Sequence, residues 1–468
     1  MAEYYLAVDI GASSGRHILA HKENGKLKLE EIYRFSNGMD NKDGSLCWDT
    51  ERLFREILAG IKRCKEAGKI PVSMGIDTWA VDYVLLDNKD RMLGNAYGYR
   101  DARTAGMDTE VYKAISEEEL YKRTGIQKQP FNTIYQLMAL KMKKPEELSA
   151  AATMLMLPDY FHFLLTGNKV TEYTNATSTQ LVNAETKDWD RDLIRTLGYP
   201  SGMFLPLCTP GTEVGRFTQE IREQVGFDCR VVLPATHDTA SAVMAVPSLL
   251  EDTLYISSGT WSLMGVENEF PLCTEECRRL NFTNEGGYDY RYRFLKNIMG
   301  LWMIQSVRHE TGDAVSFAEL CRMAEEEKDF PSRVDVNSEK FLAPENMQEA
   351  VKEACAGDGE KVPKNIGQTA AVIYQSLAIS YAKTLEEIEK ITGRHYEEIN
   401  IVGGGANADY LNRLTAERTG RKTAAGPGEA TAIGNVISQM ISGGEFRNLF
   451  EAGQCIRESF DVKEYEPV

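Results

Sequence analysis

A short apolar strand that runs into a turn of glycine and serine occurs twice in this chain, near the start of each half. The first copy lies at residues 6–15 (Leu-Ala-Val-Asp-Ile-Gly-Ala-Ser-Ser-Gly) and the second at residues 254–260 (Leu-Tyr-Ile-Ser-Ser-Gly-Thr). Each is followed by another strand-like run, so both copies predict two strands joined by a hinge of small residues. A repeated unit indicates two related halves. We therefore expect two α/β domains that face each other across a cleft.

Alternating apolar strands and amphipathic helices fill much of both halves, which is typical of a layered α/β fold. The predicted strands are 4–8, 16–20, 27–35, 72–76, 81–86, 230–234, 254–257, 261–266 and 398–402. The predicted helices are 50–66 (with Thr50 as N-cap), 240–245, 366–389 and 431–441. Pro247 and an acidic turn at Glu251 and Asp252 interrupt the pattern. The predicted domains are therefore 1–246 and 247–468.

Charge and cysteine usage exclude several classes of protein. The 53 Lys and Arg residues against 70 Asp and Glu residues give a net charge of −17, which repels nucleic-acid phosphates and anionic lipids. No apolar run reaches the ~18 residues that a membrane helix needs, and the first residues lack the basic segment of a signal peptide. The nine cysteines form no C-x-x-C pair and no zinc pattern. We expect a soluble, reduced, cytoplasmic protein that binds neither nucleic acid nor membrane.

The first hinge, residues 9–16, has the residue types that bind phosphate groups. Gly11 and Gly15 allow positive φ, so successive backbone N–H groups can turn toward phosphate oxygens. Two serines between them add hydroxyl donors, and Arg16 adds a fixed positive charge. Asp9 can hold Mg²⁺ through water. A plain glycine-rich hairpin turn explains the same residues, and the chain contains neither a G-x-x-x-x-G-K-[ST] nor a G-x-G-x-x-G string.

The second half contains two further small-residue turns. Residues 257–260 (Ser-Ser-Gly-Thr) suit a phosphate group, although a hairpin turn alone would explain them. Residues 403–405 are three glycines after a predicted strand, and they would let a flat group such as adenosine approach the backbone. Asn407 is expected to cap the next helix, and a flexible turn would also have this sequence. Two hinges, one in each half, together with the triple glycine favour nucleotide binding.

His237, Asp238 and Thr239 lie where a predicted strand gives way to a helix. An N-cap role for Asp238 or Thr239 explains these residues without any catalysis. As a catalytic group, Asp238 would take a proton from an attacking hydroxyl, and the helix N-terminus is expected to keep its carboxylate ionised. His237 and Thr239 would then bind neighbouring hydroxyls.

Residues 76–82 (Ile-Asp-Thr-Trp-Ala-Val-Asp) combine an aromatic side chain with two carboxylates. The carboxylates of Asp77 and Asp82 would accept hydrogen bonds from sugar hydroxyls, and the face of Trp79 suits the C–H side of a sugar. A strand pair with Trp79 in the core explains the same segment.

In this order, these segments resemble the FGGY family of carbohydrate kinases. The resemblance runs from about residue 5 to about residue 440, and the segments that carry it best are 9–16, 75–82, 130–133, 158–161, 172–177, 237–243, 258–265, 284–287, 295–302 and 401–405. It implies two actin-like (ribonuclease H-like) domains, with sugar bound mainly by the first and ATP mainly by the second. It also implies transfer of the γ-phosphate of Mg·ATP to the terminal hydroxyl of L-rhamnulose. L-fuculose or xylulose are alternative substrates, and a non-catalytic actin-like nucleotide switch is an alternative function.

The resemblance also implies roles for individual residues. Asp238 matches the catalytic base, and His237 and Thr239 match sugar contacts. The implied nucleotide contacts are Ala12, Ser13, Ser14, Gly15, Arg16, Thr260, Asn297, Gln305 and Gly404. Ala80 stands where related chains have a glycine that touches the sugar, so we expect its methyl group to crowd the substrate or to tune the preference among ketoses.

Overall fold

The computed structural model describes residues 3–247, 253–342 and 344–467. Its strands are β1 (Tyr4–Ile10), β2 (Ser14–Glu23), β3 (Lys26–Ser36), β4 (Met39–Lys42), β5 (Ser45–Trp48), β6 (Pro71–Thr78), β7 (Tyr83–Leu86), β8 (Met92–Leu93), β9 (Ala96–Tyr97), β10 (Thr153–Met156), β11 (Thr171–Glu172), β12 (Val182–Asn183), β13 (Asp188–Trp189), β14 (Leu207–Cys208), β15 (Glu213–Arg216), β16 (Arg230–Val232), β17 (Leu254–Ser258), β18 (Trp261–Asn268), β19 (Thr283–Gly286), β20 (Tyr292–Met299), β21 (Glu398–Val402), β22 (Lys422–Ala425) and β23 (Lys463–Tyr465). Its α-helices are α1 (Thr50–Glu66), α2 (Met107–Tyr112), α3 (Glu117–Thr124), α4 (Thr133–Lys143), α5 (Pro145–Ala150), α6 (Leu157–Thr166), α7 (Tyr173–Thr177), α8 (Arg191–Thr196), α9 (Gln219–Val225), α10 (Asp238–Met244), α11 (Glu275–Arg279), α12 (Trp302–Glu310), α13 (Phe317–Glu326), α14 (Met347–Gly357), α15 (Ile366–Thr392), α16 (Asp409–Thr419), α17 (Ala430–Ser442) and α18 (Leu449–Ser459).

The chain forms two compact units, and neither is continuous in sequence. The first unit consists of Met1–Ala245, Asn268–Phe294 and Thr431–Ser459, and the second of Val246–Glu267, Leu295–Ala430 and Phe460–Val468. Each unit contains a mixed β-sheet together with α-helices, so the predicted α/β class is confirmed. The turn predicted at Glu251 and Asp252 lies outside the described residues.

The central sheet of the first unit has six strands in the order β15–β16–β6–β1–β2–β3. Strands β16, β6 and β1 are parallel to one another, and the remaining strands pair in antiparallel fashion. Buried parallel strands read as continuous apolar runs, and Leu6, Ala7 and Val8 of β1 are fully buried. Ligands bind beyond the carboxyl ends of such parallel strands. The first unit therefore places residues 9–11, 77–80 and 233–238 where a site is expected.

The sheet of the second unit repeats this topology. Strands β23, β22, β21, β17, β18 and β20 follow one another in the same order as β15, β16, β6, β1, β2 and β3. Strands β22, β21 and β17 are parallel, and β23 and β18 are antiparallel to their neighbours β22 and β17. The repeated order agrees with the two related halves that the repeated hinge predicts.

The cap of α1 differs from the prediction. Asp49 is the N-cap, and its side chain accepts a hydrogen bond from the backbone N–H of Arg52. Thr50, the predicted cap, is the first residue of the helix and is buried. A carboxylate is a strong N-cap acceptor, so the residue one position earlier takes this role.

Two further properties concern the whole of the described chain. None of its described helices combines the length and the hydropathy that a membrane span requires. All nine cysteines lie within the described ranges, and each is a free thiol.

Candidate active site

Three aspartates lie at the carboxyl ends of the parallel strands of the first unit. Asp9 near the end of β1 is the register partner of Asp77 near the end of β6. The neighbouring Thr78 forms a parallel bridge with His237, which immediately precedes Asp238. The charge of Asp9 raises the pKa of both Asp77 and Asp238. The structure therefore brings the predicted metal contact and the predicted base into one carboxylate cluster.

Asp238 is the first residue of α10, and His237 is the N-cap. The Oδ1 atom of Asp238 accepts hydrogen bonds from the backbone N–H of Thr239 at 2.5 Å and from its hydroxyl at 3.1 Å. The Asp238 side chain is 32% exposed, so a substrate hydroxyl can reach it. The N-cap role that we considered for Asp238 or Thr239 is thus wrong, because the preceding histidine has that position.

Burial, followed by the charge of Asp9, raises the pKa of Asp238 to about 7. This pKa runs against the prediction that the helix N-terminus keeps the carboxylate ionised. The hydrogen bonds from Thr239 lower the pKa, but the loss of solvation and the neighbouring carboxylate outweigh them. A general base works best with a pKa near the working pH, so this position suits proton acceptance.

Asp77 differs from the other two aspartates because it is fully buried. Burial, followed by the charge of Asp9, raises the pKa of Asp77 well above its usual range. Asn435 of α17 donates to its Oδ2 atom at 2.5 Å, and Gln439 donates to the Oδ1 atom of Asn435 at 2.7 Å. Sequence reasoning missed this polar pair. The available signal was a pair of amides at positions i and i+4 of one helix.

The backbone conformation of the first hinge differs from the one that the sequence predicted. Gly11 and Gly15 do not adopt the positive φ that glycine allows and that we expected at these positions. Gly15 lies in β2, and a Cβ there would come within 2.1 Å of the Phe35 ring. The N–H of Gly11 donates to the carbonyl of Ser14 at 2.9 Å. These glycines therefore serve close packing and a tight turn.

The tip of this hinge and its arginine remain accessible. Ala12 and Ser14 are half-buried and Ser13 is exposed. Arg16 donates from Nε to the Oδ2 atom of Asp9 at 3.0 Å, and its side chain is 26% exposed. This ion pair fixes the predicted positive charge beside the carboxylate cluster.

Residues 79–82 form part of the core of the first unit. Trp79 is 6% exposed and stacks at a tilt on Trp48, with ring centroids 4.0 Å apart. Both indole N–H groups donate to the Oδ2 atom of Asp82, at 2.9 and 2.7 Å, and Tyr99 and Gln136 supply further donors. The alternative with Trp79 in the core is thus the one that the structure adopts, and Asp82 anchors the segment from inside.

A strained turn separates Trp79 from Asp82. Val81 has φ +68°, and the N–H of Asp82 donates to the carbonyl of Ala80 at 2.9 Å, which is the pattern of a γ-turn. A β-branched residue in this region costs about 1–3 kcal/mol, and Thr133 and Gln136 both donate to the Val81 carbonyl. Ala80 is half-buried and lacks positive φ, so its methyl group introduces no backbone strain.

Two charged residues that sequence reasoning missed contact His237. Arg293 of β20 lies 3.0 Å from its Nδ1 atom, and Glu285 of β19 lies 3.4 Å from the same atom. Both follow His237 by about fifty residues, and no local pattern in the sequence connects them with it. The sequence signal was only the resemblance of residues 284–287 to a family segment.

The second hinge lies against the start of a helix in the second unit. Strands β17 and β18 form an antiparallel pair around Gly259 and Thr260. The carbonyls of these two residues accept hydrogen bonds from Leu301 and Trp302 at 3.0 and 3.1 Å. Helix α12, which carries Gln305, therefore starts against the hinge that contains Thr260. Asn297 lies on β20, and its buried Oδ1 has no hydrogen-bond partner among the described residues.

Two of the three consecutive glycines pack too closely against Ser258 to carry a side chain, and the remaining one does not. A Cβ on Gly403 would lie 2.9 Å from the Ser258 carbonyl oxygen, and a Cβ on Gly405 would lie 2.0 Å from the Ser258 Oγ. Gly404 is exposed, and no atom of the described residues lies within 4 Å of its Cβ position. Gly404 is thus the position that a flat ligand can approach.

Asn407 does not cap the helix that follows the triple glycine. Ala408 is the N-cap of α16 and makes no side-chain cap. The Asn407 amide lies 3.5 Å from the Gly404 carbonyl instead, because residues 404–407 form a 3₁₀ turn before the helix begins. The predicted cap is therefore wrong.

A carboxylate lies at a helix start beyond the parallel strands of the first unit, and glycine turns lie at the equivalent strand ends of the second. Models of the FGGY family of carbohydrate kinases match the chain, the N-terminal domain over residues 4–245 and the C-terminal domain over residues 254–443. The protein belongs to this family and is a carbohydrate kinase. The resemblance seen in the sequence is confirmed.

Curated relatives cover the chain from end to end. A rhamnulokinase of Oceanobacillus iheyensis is 51% identical over 468 residues, which is 100% of this chain and 99% of the relative. A rhamnulokinase of Halalkalibacterium halodurans is 52% identical over 462 residues, which is 99% of this chain and 98% of the relative. The crystal structure of a ligand-bound xylulose kinase from Lactobacillus acidophilus has a TM-score of 0.78 at 18% identity, covering 100% of this chain and 94% of that one. The last comparison shows the shared fold.

Proposed function

We propose that this protein transfers the γ-phosphate of ATP to the terminal hydroxyl of L-rhamnulose, giving L-rhamnulose 1-phosphate, in the cytoplasm. The observation that carries the proposal is 51% and 52% identity, over nearly the whole chain, to two proteins named rhamnulokinase. We assign sugar binding mainly to residues 1–246 and nucleotide binding mainly to residues 247–468. The partly exposed carboxylate of Asp238 supports a hydroxyl as the phosphate acceptor.

Asp238 is the general base in this proposal. The terminal hydroxyl of the sugar donates to the Asp238 carboxylate, and the proton moves late, as the oxygen bonds to phosphorus and loses basicity. Thr239 donates its hydroxyl to Oδ1 and so orients the carboxylate. His237 and Thr239 bind neighbouring hydroxyls, and Ala80 lies at the edge of the sugar site.

We assign the nucleotide to the two hinges and the open glycine. The proposed contacts are Ala12, Ser13, Ser14, Gly15, Arg16, Thr260, Asn297, Gln305 and Gly404. The exposed hinge tip, the free Oδ1 of Asn297 and the open space at Gly404 support this assignment. The positive charge of Arg16 is suited to the negative charge that develops on the transferred phosphoryl group.

A magnesium ion fits this site if phosphate and water supply most of its ligands. Among the described residues, no group of three or more His, Cys, Asp and Glu side chains could hold a metal ion by itself. Mg²⁺ commonly takes one or two carboxylates together with phosphate oxygens and water, and Asp9 is the proposed carboxylate. Bound there, Mg²⁺ would neutralise charge on the phosphate oxygens.

The test of the function is ADP release from Mg·ATP with L-rhamnulose, L-fuculose, D-xylulose, L-ribulose, glycerol and no sugar. We expect a kcat/KM for L-rhamnulose that exceeds the others by orders of magnitude. If another ketose gave the highest kcat/KM, the protein would still be a sugar kinase, but its proposed substrate would be wrong. ADP release that is independent of every sugar would support the nucleotide switch and contradict the proposal.

The pKa of Asp238 predicts how the rate depends on pH. Only the deprotonated carboxylate accepts a proton, so kcat/KM for the sugar should fall as the pH drops through about 7 and reach about a tenfold loss per pH unit further below. Excess Mg²⁺ keeps ATP in its magnesium complex throughout the titration. A profile that stays flat down to pH 5.5 would show that Asp238 remains ionised and would contradict the raised pKa.

Removal of the Ala80 methyl group tests its contact with the sugar. We expect Ala80→Gly to lower the KM for L-rhamnulose by about two- to tenfold, because one crowding methyl group costs on the order of 1 kcal/mol. The KM for ATP is the internal control and should stay unchanged. An unaltered kcat/KM for L-rhamnulose would show that the methyl group does not determine specificity.

A further inference from the structure

A buried arginine contacts the Nδ1 atom of the His237 ring. Arg293 is fully buried, and its Nη2 lies 3.0 Å from His237 Nδ1 and 3.0 Å from the Oε2 atom of Glu285. Its Nε donates to the Gly286 carbonyl at 3.0 Å. Two of its three nitrogens are thus fixed, and the guanidinium cannot rotate without breaking these bonds.

This contact determines which imidazole nitrogen carries the hydrogen. A guanidinium only donates hydrogen bonds, so His237 Nδ1 must be the acceptor. An accepting Nδ1 carries no hydrogen, so the ring is neutral. Burial and the charge of Arg293 act in the same direction, because they lower the pKa of His237 well below its usual value. The single ring hydrogen is therefore on Nε2, which lies 3.5 Å from Asp238 Oδ1. His237 then faces the proposed base as a hydrogen-bond donor.

Glu285 would select the opposite tautomer if Arg293 were absent. Its Oε2 atom lies 3.4 Å from His237 Nδ1, and a carboxylate beside an imidazole nitrogen favours the hydrogen on that nitrogen. Nε2 would then present a lone pair to the Asp238 carboxylate, and the two acceptors would repel each other. Arg293 prevents this arrangement because it donates to both groups.

We propose that Arg293 is a positioning residue, which keeps His237 in its Nε2–H form as a donor to a sugar hydroxyl oxygen. Glu285 balances the buried charge of Arg293, since a buried guanidinium without a carboxylate is costly. The inference deepens the proposed function, because a donor at His237 is needed only where a hydroxyl oxygen has to be bound beside the base. No bond is made or broken by either residue.

The first test measures the tautomer directly and needs no substrate. The chain has six histidines, so long-range ¹H–¹⁵N correlation spectra of the full protein labelled with ¹⁵N-histidine are tractable, and His237→Gln identifies the resonance. We expect an Nε2–H signature for His237 in the unmodified protein and in Glu285→Gln. An Nδ1–H or a doubly protonated ring in the unmodified protein would overturn the proposal without any variant.

The second test removes the guanidinium and leaves Glu285 in place. In Arg293→Met we expect the tautomer to change to Nδ1–H and kcat/KM for the sugar to fall about 10- to 100-fold, mainly through KM. The KM for ATP should change by less than about twofold. Arg293→Lys keeps a buried donor, should keep the Nε2–H form, and provides the comparison if the methionine variant does not fold.

The two readouts separate the failure of this inference from the failure of the proposed function. An Nε2–H ring that persists in Arg293→Met, with an unaltered KM for the sugar, would overturn the positioning role while the kinase function stands. If no sugar were phosphorylated by the unmodified protein, the proposed function would fail. The spectra alone would then decide whether Arg293 determines the tautomer.

Discussion

Asp238→Asn is expected to lower kcat with L-rhamnulose by about 100- to 10,000-fold, the range that a general base contributes. An amide cannot accept the hydroxyl proton, yet it has the same size as the carboxyl and can still accept the bond from the Thr239 hydroxyl. Stability should therefore change little. The affinity for Mg·ATP should stay within about threefold of normal, because no nucleotide contact is removed. Steady-state rates and calorimetric ATP titration measure the two quantities.

The matched control is another aspartate of the first unit. The side chain of Asp192 on α8 is 73% exposed, so Asp192→Asn should leave kcat and the free energy of unfolding near normal. Turnover of Asp238→Asn within about tenfold of the unmodified enzyme would remove Asp238 from the base role. A parallel loss of ATP affinity would instead indicate that Asp238 acts mainly through the nucleotide.

Gly434→Ala is expected to disrupt the first unit, although alanine is the better helix former by about 1 kcal/mol. A Cβ on Gly434 of α17 would lie 1.7 Å from the backbone carbonyl oxygen of Ser241 and 2.5 Å from its carbonyl carbon. The obstacle is backbone, so α17 and α10 must separate. We expect a loss of about 3 kcal/mol or more in the free energy of unfolding, at or beyond the upper end of ordinary overpacking.

Activity should fall with stability in Gly434→Ala, because α10 begins with Asp238. In the described part of the chain, no atom lies within 4 Å of the Cβ position of Gly357 at the end of α14. Gly357→Ala therefore makes the same chemical change without a clash. It should be neutral or slightly stabilising in denaturant unfolding. If Gly434→Ala unfolds at the same denaturant concentration as the unmodified protein, α17 and α10 do not pack as closely as described at Gly434.

The sequence predicts the parallel strands well and the contacts between distant segments poorly. Strand β21 has the predicted bounds, because a strand buried on both faces reads as one apolar run between turns. Asp9 and Asp238 could be predicted as neighbours because both follow such strands. The Asn435–Asp77 hydrogen bond joins residues 358 positions apart. A local sequence pattern does not show which distant segments come into contact.

The glycines of the hinges show a second limit of sequence reasoning. A glycine in a turn can supply a left-handed backbone or simply the absence of a side chain, and the sequence does not distinguish the two. Gly15 lacks positive φ and admits the Phe35 ring, whereas Gly403 has φ +84° and approaches Ser258. The conformation depends on which side chain packs against the turn, and that neighbour is known only from the fold.

The last segment of the first unit has a consequence for synthesis on the ribosome. Translation proceeds from residue 1 onward, so Asp77 and Ser73 leave the exit tunnel long before Asn435 and Gln439, which bind them in the finished protein. A nascent chain that has reached residue 245 therefore lacks the helix that hydrogen-bonds to β6. Domains usually fold as they emerge, whereas the first unit cannot complete the polar contacts of Ser73 and Asp77 until α17 has been synthesised.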